Sequence, residues 1–253
     1  MIHSFLLIGQ SNAAGRGFLT EAEPVDNCGG KLKVLRNGRW QNMFRPVNPD
    51  RSFSGVSLSE SFAKAYHNEN AEVEVGIIPC ADGGTTLAQW APGELLFDNA
   101  VNCAKLAMRT SNLVGILWHQ GEGDCAPDKF IDYFERFKIM ADKLREKLNL
   151  PEIPIVVGGL GDFLPNHLSD ETLKNYKFVN EQLKKAATEC NRMAYASAEG
   201  LKANPDNLHF SAESLNEFGL RYFEQFKKIE NKELALNKEI KLDDSKRSEM
   251  EAL

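Results

Sequence analysis

Apolar residues gather into five short runs along the chain: Ser4–Gly9, Val73–Pro79, Leu113–Trp118, Ile155–Gly159 and Met193–Ala198. Each is rich in Ile, Val or Leu, and most end in Gly, Pro or polar residues. Strands covered on both faces read this way, rather than as an alternation, so the runs predict central parallel strands. Between them, apolar residues recur at helical spacing. Leu58–His67 follows Ser57, which with Glu60 makes a capping-box pattern. Phe97–Met108 comes next. Pro127–Leu148 then carries Phe130, Tyr133, Phe134, Phe137, Met140, Ala141 and Leu144 at helical spacing, with Pro127 suited to a first turn. Asp170–Glu189 and Ala212–Ile229 complete the set. The alternation predicts an α/β fold with a doubly wound parallel sheet.

One excursion interrupts this order. Lys31–Arg36 and Arg39–Met43 flank Asn37-Gly38, the pair that suits a type I′ turn, and so predict an inserted hairpin. The rest of Phe18 to Ser54 reads as loop, long enough to build a wall over a site. Residues 1–230 read as one domain. Residues 231–253 read as a charged helical or flexible tail, in which Leu234, Leu236, Ile240 and Leu242 fit one more amphipathic helix.

Composition narrows the function classes. The 253 residues are 42% hydrophobic and 26% charged, ordinary for a globular protein, and the net charge of −6 argues against a nucleic-acid partner. No Lys/Arg block addresses an anionic membrane, and no run approaches the ~18 apolar residues of a membrane span. Met1-Ile2-His3-Ser4 lacks the basic start of a secretory signal. Cys28, Cys80, Cys103, Cys125 and Cys190 are scattered, with no CxxC pair. Together these predict reduced thiols and a cytoplasmic protein.

Functional groups of an open α/β sheet gather at the carboxyl ends of its strands. Four polar motifs lie at such places: Gly9-Gln10-Ser11-Asn12, Ala81-Asp82-Gly83-Gly84-Thr85, His119-Gln120-Gly121-Glu122-Gly123-Asp124 and Asp206-Asn207-Leu208-His209. Alone, each is ordinary. A serine after a strand is more often a helix cap than a nucleophile, Gly-Gly is usually a turn, and D-x-x-H occurs in many surface turns. Together they fill different roles of one reaction. Ser11 is placed to attack an acyl carbon, His209 to take its proton, and a carboxylate to fix the histidine tautomer. The amides of Ser11 and Gly84 and the side-chain amide of Gln120 are candidate donors to the oxyanion. Other Gly-rich readings fail on spacing: there is no G-x-G-x-x-G, no P-loop and no G-x-S-x-G. His119, Glu122 and Asp124 lack the H-E-x-x-H spacing of a metal site, so neither metal nor cofactor is expected.

The ordered set Gly9-Gln10-Ser11-Asn12, Gly83-Gly84-Thr85, Trp118-His119-Gln120-Gly121-Glu122 and Asp206-x-x-His209 resembles the SGNH/GDSL hydrolase superfamily. Within it, the chain looks like the sialate O-acetylesterase-like branch that includes the carbohydrate esterase family 6 acetylxylan esterases. The resemblance spans roughly residues 2–225. It implies a flavodoxin-like three-layer α/β/α sandwich on a five-stranded parallel sheet. It also implies metal-independent removal of acetyl groups from acetylated sugars, xylo-oligosaccharide or sialate, through an acyl-enzyme on Ser11 with His209 as base. The wider superfamily carries an Asn where this chain has Gln120. In this branch the carboxylate of the Gln-Gly-Glu block can contact the histidine, so Glu122 competes with Asp206 for the orienting role; loop proximity favours Asp206. Three residues are substrate-binding candidates. They are Asn12 beside the nucleophile, Arg16 for a sugar carboxylate, and Trp90 as a wall for an apolar sugar face. For Arg16 and Trp90 the plainer readings are a structural ion pair and a core or rim aromatic. Two rival functions remain: a lysophospholipase or general short-chain esterase on this scaffold, and a noncatalytic carbohydrate-binding protein.

Overall fold

The computed structural model describes residues 1–235. In chain order its elements are β1 (Ile2–Gly9), α1 (Ser11–Ala14), β2 (Leu32–Arg36), β3 (Arg39–Asn42), α2 (Leu58–Glu69), β4 (Glu74–Pro79), α3 (Leu95–Ala107), β5 (Asn112–His119), α4 (Pro127–Phe130), α5 (Tyr133–Leu148), β6 (Ile155–Gly158), α6 (Tyr176–Glu189), β7 (Met193–Ala196), α7 (Ala212–Ile229) and α8 (Lys232–Ala235). Most of the expected tail, residues 236–253, lies outside the described residues. Among the described residues, no helix is long and apolar enough to cross a membrane.

All five apolar runs form parallel strands, but the sheet is larger than expected. It has seven strands in the order β3-β2-β4-β1-β5-β6-β7. The hairpin is part of it: β2 pairs parallel with β4, and β3 closes the edge antiparallel to β2. The five-stranded sheet with an inserted hairpin is therefore corrected to six parallel strands and one antiparallel edge. Packing gives the reason. Leu32 and Val34 are buried beside Val75 and Ile77, so β2 carries core residues that a free hairpin would leave in water.

Helices cover both faces. α2 and α7 pack together on one, while α3, α5 and α6 succeed one another on the other. On the first face Phe5 of β1 meets Phe62, Tyr66 and Phe226 edge-on, at ring-centroid distances of 4.8, 4.9 and 5.3 Å. On the second, Trp118 of β5 packs against Trp90 and Phe137 at 5.5 and 5.4 Å. Each such buried ring contributes about 1.5–3 kcal/mol through loss of water contact. Gly219, in the middle of α7, lets that helix approach α2: a Cβ there would lie 2.1 Å from the Leu58 carbonyl oxygen.

Local signals set most boundaries. Ser57 and Glu60 make the expected capping box of α2. The helix expected from Pro127 is instead two, broken at Ile131 and Asp132. α4 packs towards α6, where Phe130 stacks on Phe178 at 4.8 Å, whereas α5 aims Tyr133 and Phe137 into the core. The segment opening at Asp170 begins as a 3-10 turn, capped by the Asp170 carboxylate, and becomes α6 only at Tyr176.

Candidate active site

The carboxyl edge of the sheet is drawn together where β1 and β5 end. Gly9 has φ +126°, and a Cβ there would lie 2.0 Å from the His119 carbonyl oxygen, so only glycine fits. The next residue, Gln10, donates its amide to that same oxygen at 2.8 Å, and Asp82 donates its amide to the Gly9 carbonyl at 3.0 Å. The loops after β1, β4 and β5 are thus joined at one point. Ser11 opens the four-residue helix α1 and is 7% exposed. An amide at a helix start has no intrahelical acceptor, so the Ser11 N–H is left for another partner.

The Gly83-Gly84 pair lies against this serine. A Cβ on Gly83 would sit 3.4 Å from the Ser11 Cβ and 2.5 Å from Arg16 Nη2. Gly84 has φ +78°, and its Cβ direction meets nothing within 4 Å, so this backbone faces open space.

The long early loop does build a wall. Asn48 exchanges two hydrogen bonds with the backbone of Ala81, both 2.9 Å. Asp50 takes the Gly83 amide at 2.8 Å, and Arg51 donates to the Asp82 carboxylate and the Gly83 carbonyl, also at 2.8 Å. Arg16 is buried and forms a two-pronged pair with Asp50 at 2.6 and 3.0 Å. Burial works to raise the Asp50 pKa, but the hydrogen bonds and charge of Arg16, with Ser54 and the Gly83 amide, hold it below the usual carboxylate range. Phe53 on this wall is 67% exposed, its ring facing the Arg16 guanidinium at 5.3 Å.

His209 arrives on the loop between β7 and α7. Its Nδ1 lies 2.7 Å from Asp206 Oδ2, while Asp206 Oδ1 accepts the amides of Leu208 and His209 at 2.9 and 3.0 Å. Burial pushes the Asp206 pKa up, but the two amides and the His209 ring outweigh it and leave the pKa lowered. Both residues flanking His209 are bonded to the residue after Ser11: Asn12 donates to the Leu208 carbonyl at 3.2 Å and accepts the Phe210 amide at 3.1 Å. Ser11, the Gly83-Gly84 pair and the Asp206–His209 pair therefore meet at one edge.

Other candidates are placed differently. Glu122 does not pair with His209. Its Oε1 accepts from Asn12 at 2.6 Å and lies 3.3 Å from His119 Nε2. Burial works to raise its pKa, yet His119 and the Asn12 hydrogen bond hold it lowered. Gln120 is fully buried, and its Nε2 is turned to Asp124 Oδ2 at 2.6 Å, with Gln10 Oε1 and the Thr85 carbonyl at 3.2 Å. Both amide hydrogens are engaged inside the protein, so Gln120 ties the loop after β5 to Gln10 and Thr85. Trp90 is 1% exposed and donates to Thr85 Oγ1, so it is a core residue and not a sugar wall. Arg16 is a structural ion pair, and Asn12 has its whole amide engaged by protein. Asp124 turns to the Leu87 amide at 2.7 Å and to Gln120, away from a shared ligand with His119 and Glu122.

Asn48, Asp50, Arg51 and Phe53 escaped the sequence reading. Asn48-Pro49-Asp50-Arg51 carries the composition of any polar loop, and only its ties to Ala81–Gly83 give it meaning.

A mostly parallel sheet whose carboxyl edge gathers a serine turn, an open glycine pair and a carboxylate-bound histidine has the frame of an α/β enzyme, in which functional groups gather at the strand ends. Residues 1–228 match the family described as carbohydrate esterase, sialic acid-specific acetylesterase, and the chain belongs to that family. A protein of Arabidopsis thaliana named as a probable carbohydrate esterase is 27% identical over 239 residues, 85% of this chain and 86% of its own. The crystal structure of an Arabidopsis thaliana protein superposes with a TM-score of 0.79 at 24% identity, covering 89% of this chain and 98% of that one. NanS gives 0.71 at 15% identity, covering 90% and 97%. A carbohydrate acetylesterase of Xanthomonas citri gives 0.66 at 18%, covering 90% of this chain and 56% of its own. These structures share the fold. Family membership makes the chain a carboxylic ester hydrolase of the carbohydrate acetylesterase kind.

Proposed function

We propose that the chain removes acetyl groups from acetylated sugars, of xylo-oligosaccharide or sialate type, by a two-step serine mechanism. The observation that carries this reading is the 2.7 Å contact of Asp206 with His209, on a loop bonded from both sides to the residue after Ser11. Ser11 Oγ attacks the acetyl carbonyl carbon while His209 Nε2 takes its proton. Asp206 holds Nδ1–H, which fixes the tautomer that leaves Nε2 free to accept. The oxyanion is received by the amides of Ser11 and Gly84, with no contribution from Gln120. Collapse expels the sugar alkoxide, protonated by His209. Water, activated by the same ring, then releases acetate and restores Ser11.

The carbohydrate wall moves from Trp90 to Phe53, an exposed aromatic on the loop clamped to Gly83. A reduced, cytoplasmic setting fits five free cysteines, so imported oligosaccharides are the substrates we favour over polymer outside the cell.

Ser11→Ala tests the mechanism. Turnover of acetylated xylo-oligosaccharide and acetylated sialate should vanish while the thermal melt is kept; undiminished turnover would remove Ser11 from the reaction. Running the wild type on long-chain acyl esters addresses the lipase alternative, since turnover confined to those would remove the sugar assignment.

A further inference from the structure

Asp206 orients the His209 ring, but both belong to the same short loop. That contact fixes the ring relative to the loop and does nothing to fix the loop relative to Ser11. Another group must set the distance between nucleophile and base.

Asn12 is built for this. It is 1% exposed, and its side-chain amide is fully used: Nδ2 donates to Glu122 Oε1 at 2.6 Å and to the Leu208 carbonyl at 3.2 Å, and Oδ1 accepts the Phe210 amide at 3.1 Å. Leu208 and Phe210 bracket His209, and Asn12 follows Ser11 directly. The amide thus spans from the nucleophile turn to both sides of the base. Glu122 keeps it there. An ionised carboxylate only accepts, so it demands the N–H side of the amide and leaves Oδ1 for Phe210. Glu122 is held in turn by His119 Nε2 at 3.3 Å. His119 Nδ1 lies 3.4 Å from the Tyr222 hydroxyl, which donates to the Trp118 carbonyl at 2.8 Å. This chain of contacts runs from the base loop into β5 and α7, where His119, Trp118 and Tyr222 are buried.

We propose that Asn12 is a positioning residue that latches the His209 loop to Ser11, and that Glu122 is its buried anchor rather than the acid partner of His209. The inference rests on the serine mechanism proposed above. The latch has help: Asn204 donates to the Arg16 carbonyl at 2.9 Å, and Phe210 is buried against Phe163 and Phe218. Its loss loosens the loop without releasing it.

The test compares four variants on one acetylated sugar. Asn12→Ala should lower kcat about 10²-fold, the usual effect of misplacing a reacting group by about 1 Å, with KM near that of the wild type. Asp206→Asn should remove the low-field proton resonance of the His209 Nδ1–H, and Asn12→Ala should keep it, because ring and Asp206 move together. Glu122→Gln retains an acceptor for Asn12 and should lose less than about tenfold in kcat, whereas Glu122→Leu removes it and should fall about 10²-fold, as Asn12→Ala does. A kcat for Asn12→Ala within twofold of wild type overturns the latch. So does a Glu122→Gln loss as deep as that of Asp206→Asn, which would restore Glu122 as the acid. If Asn12→Ala does not fold, the two Glu122 variants decide alone. A wild-type rate in Ser11→Ala would sink the serine mechanism and is read separately from all of these.

Discussion

Asp206 shows how a spacing of three specifies a carboxylate–histidine pair. One carboxylate oxygen caps the amides of Leu208 and His209 and so makes the turn, and the other meets the ring that the turn presents. Spacing and contact are the same fact here, which is why the pairing of Asp206 with His209 could be read without a structure. Under the proposed mechanism Asp206→Asn should cost about 10²–10⁴ in kcat, towards the lower end because the Asp206 side chain is 43% exposed and water can partly replace it; steady-state kinetics check this. Glu122 was not legible in the same way. Its partner Asn12 lies 110 positions away, and no local spacing reports which hydrogen reaches a buried carboxylate. Trp90 kept two readings for a related reason: it follows the Gly pair as a wall residue would, and only the four-residue 3-10 turn Leu87–Trp90 that buries it against Trp118 decides for the plainer one. For Phe53→Ala we expect KM for acetylated sugar to rise about tenfold, the loss of about 1.4 kcal/mol of contact, with ethyl acetate turnover little changed; equal effects on both substrates would remove Phe53 from the sugar site.

At the scale of elements, strands and helices could be read because each carries its own period. The hairpin's membership of the sheet could not, because register against β4 is decided by a partner some 40 residues on. The break between α4 and α5 was equally hidden: both halves keep helical spacing, and the direction in which each packs comes from α6 and the core. The α2–α7 contact has a sharper requirement. With Gly219 replaced by Ala, the new methyl would meet the Leu58 carbonyl oxygen and Ser61 Oγ, both at 2.1 Å. The helices must move apart, and a urea titration should show destabilisation of about 1–3 kcal/mol with the m-value unchanged.

The whole molecule carries its ionisable groups as a balance. Asp50, Asp206 and Glu122 all have pKa values lowered by the partners that burial gives them. A carboxylate with a depressed folded pKa adds stability above its unfolded pKa, about 3.9 for Asp and 4.3 for Glu, and that stability is lost as pH falls towards the folded value. Glu60 works the other way. Burial outweighs Arg45 and the Ser57 amide and raises its pKa, so protonation there favours the folded state, and that stability is lost as pH rises through the folded value. Asp26 and Glu146, paired with Lys64 and Lys143, are lowered as well, so five carboxylates oppose one among the described residues, and unfolding measured from pH 7 downwards should show stability falling below about pH 4. A plateau to pH 3 would contradict the lowered values.

The Asn12 contacts to Leu208 and Phe210 join positions 196 and 198 apart. At a synthesis rate of about 5–20 residues per second, roughly 10–40 s separate the emergence of the serine turn from that of its base. Under the proposed mechanism the chain holds, over that interval, a nucleophile with nothing to deprotonate it. The segment that supplies the base leads directly into α7, which also covers one face of the sheet. On that mechanism completion of the core and onset of catalysis are one event, and in a refolding experiment the return of hydrolysis should share its time constant with the burial of Phe226.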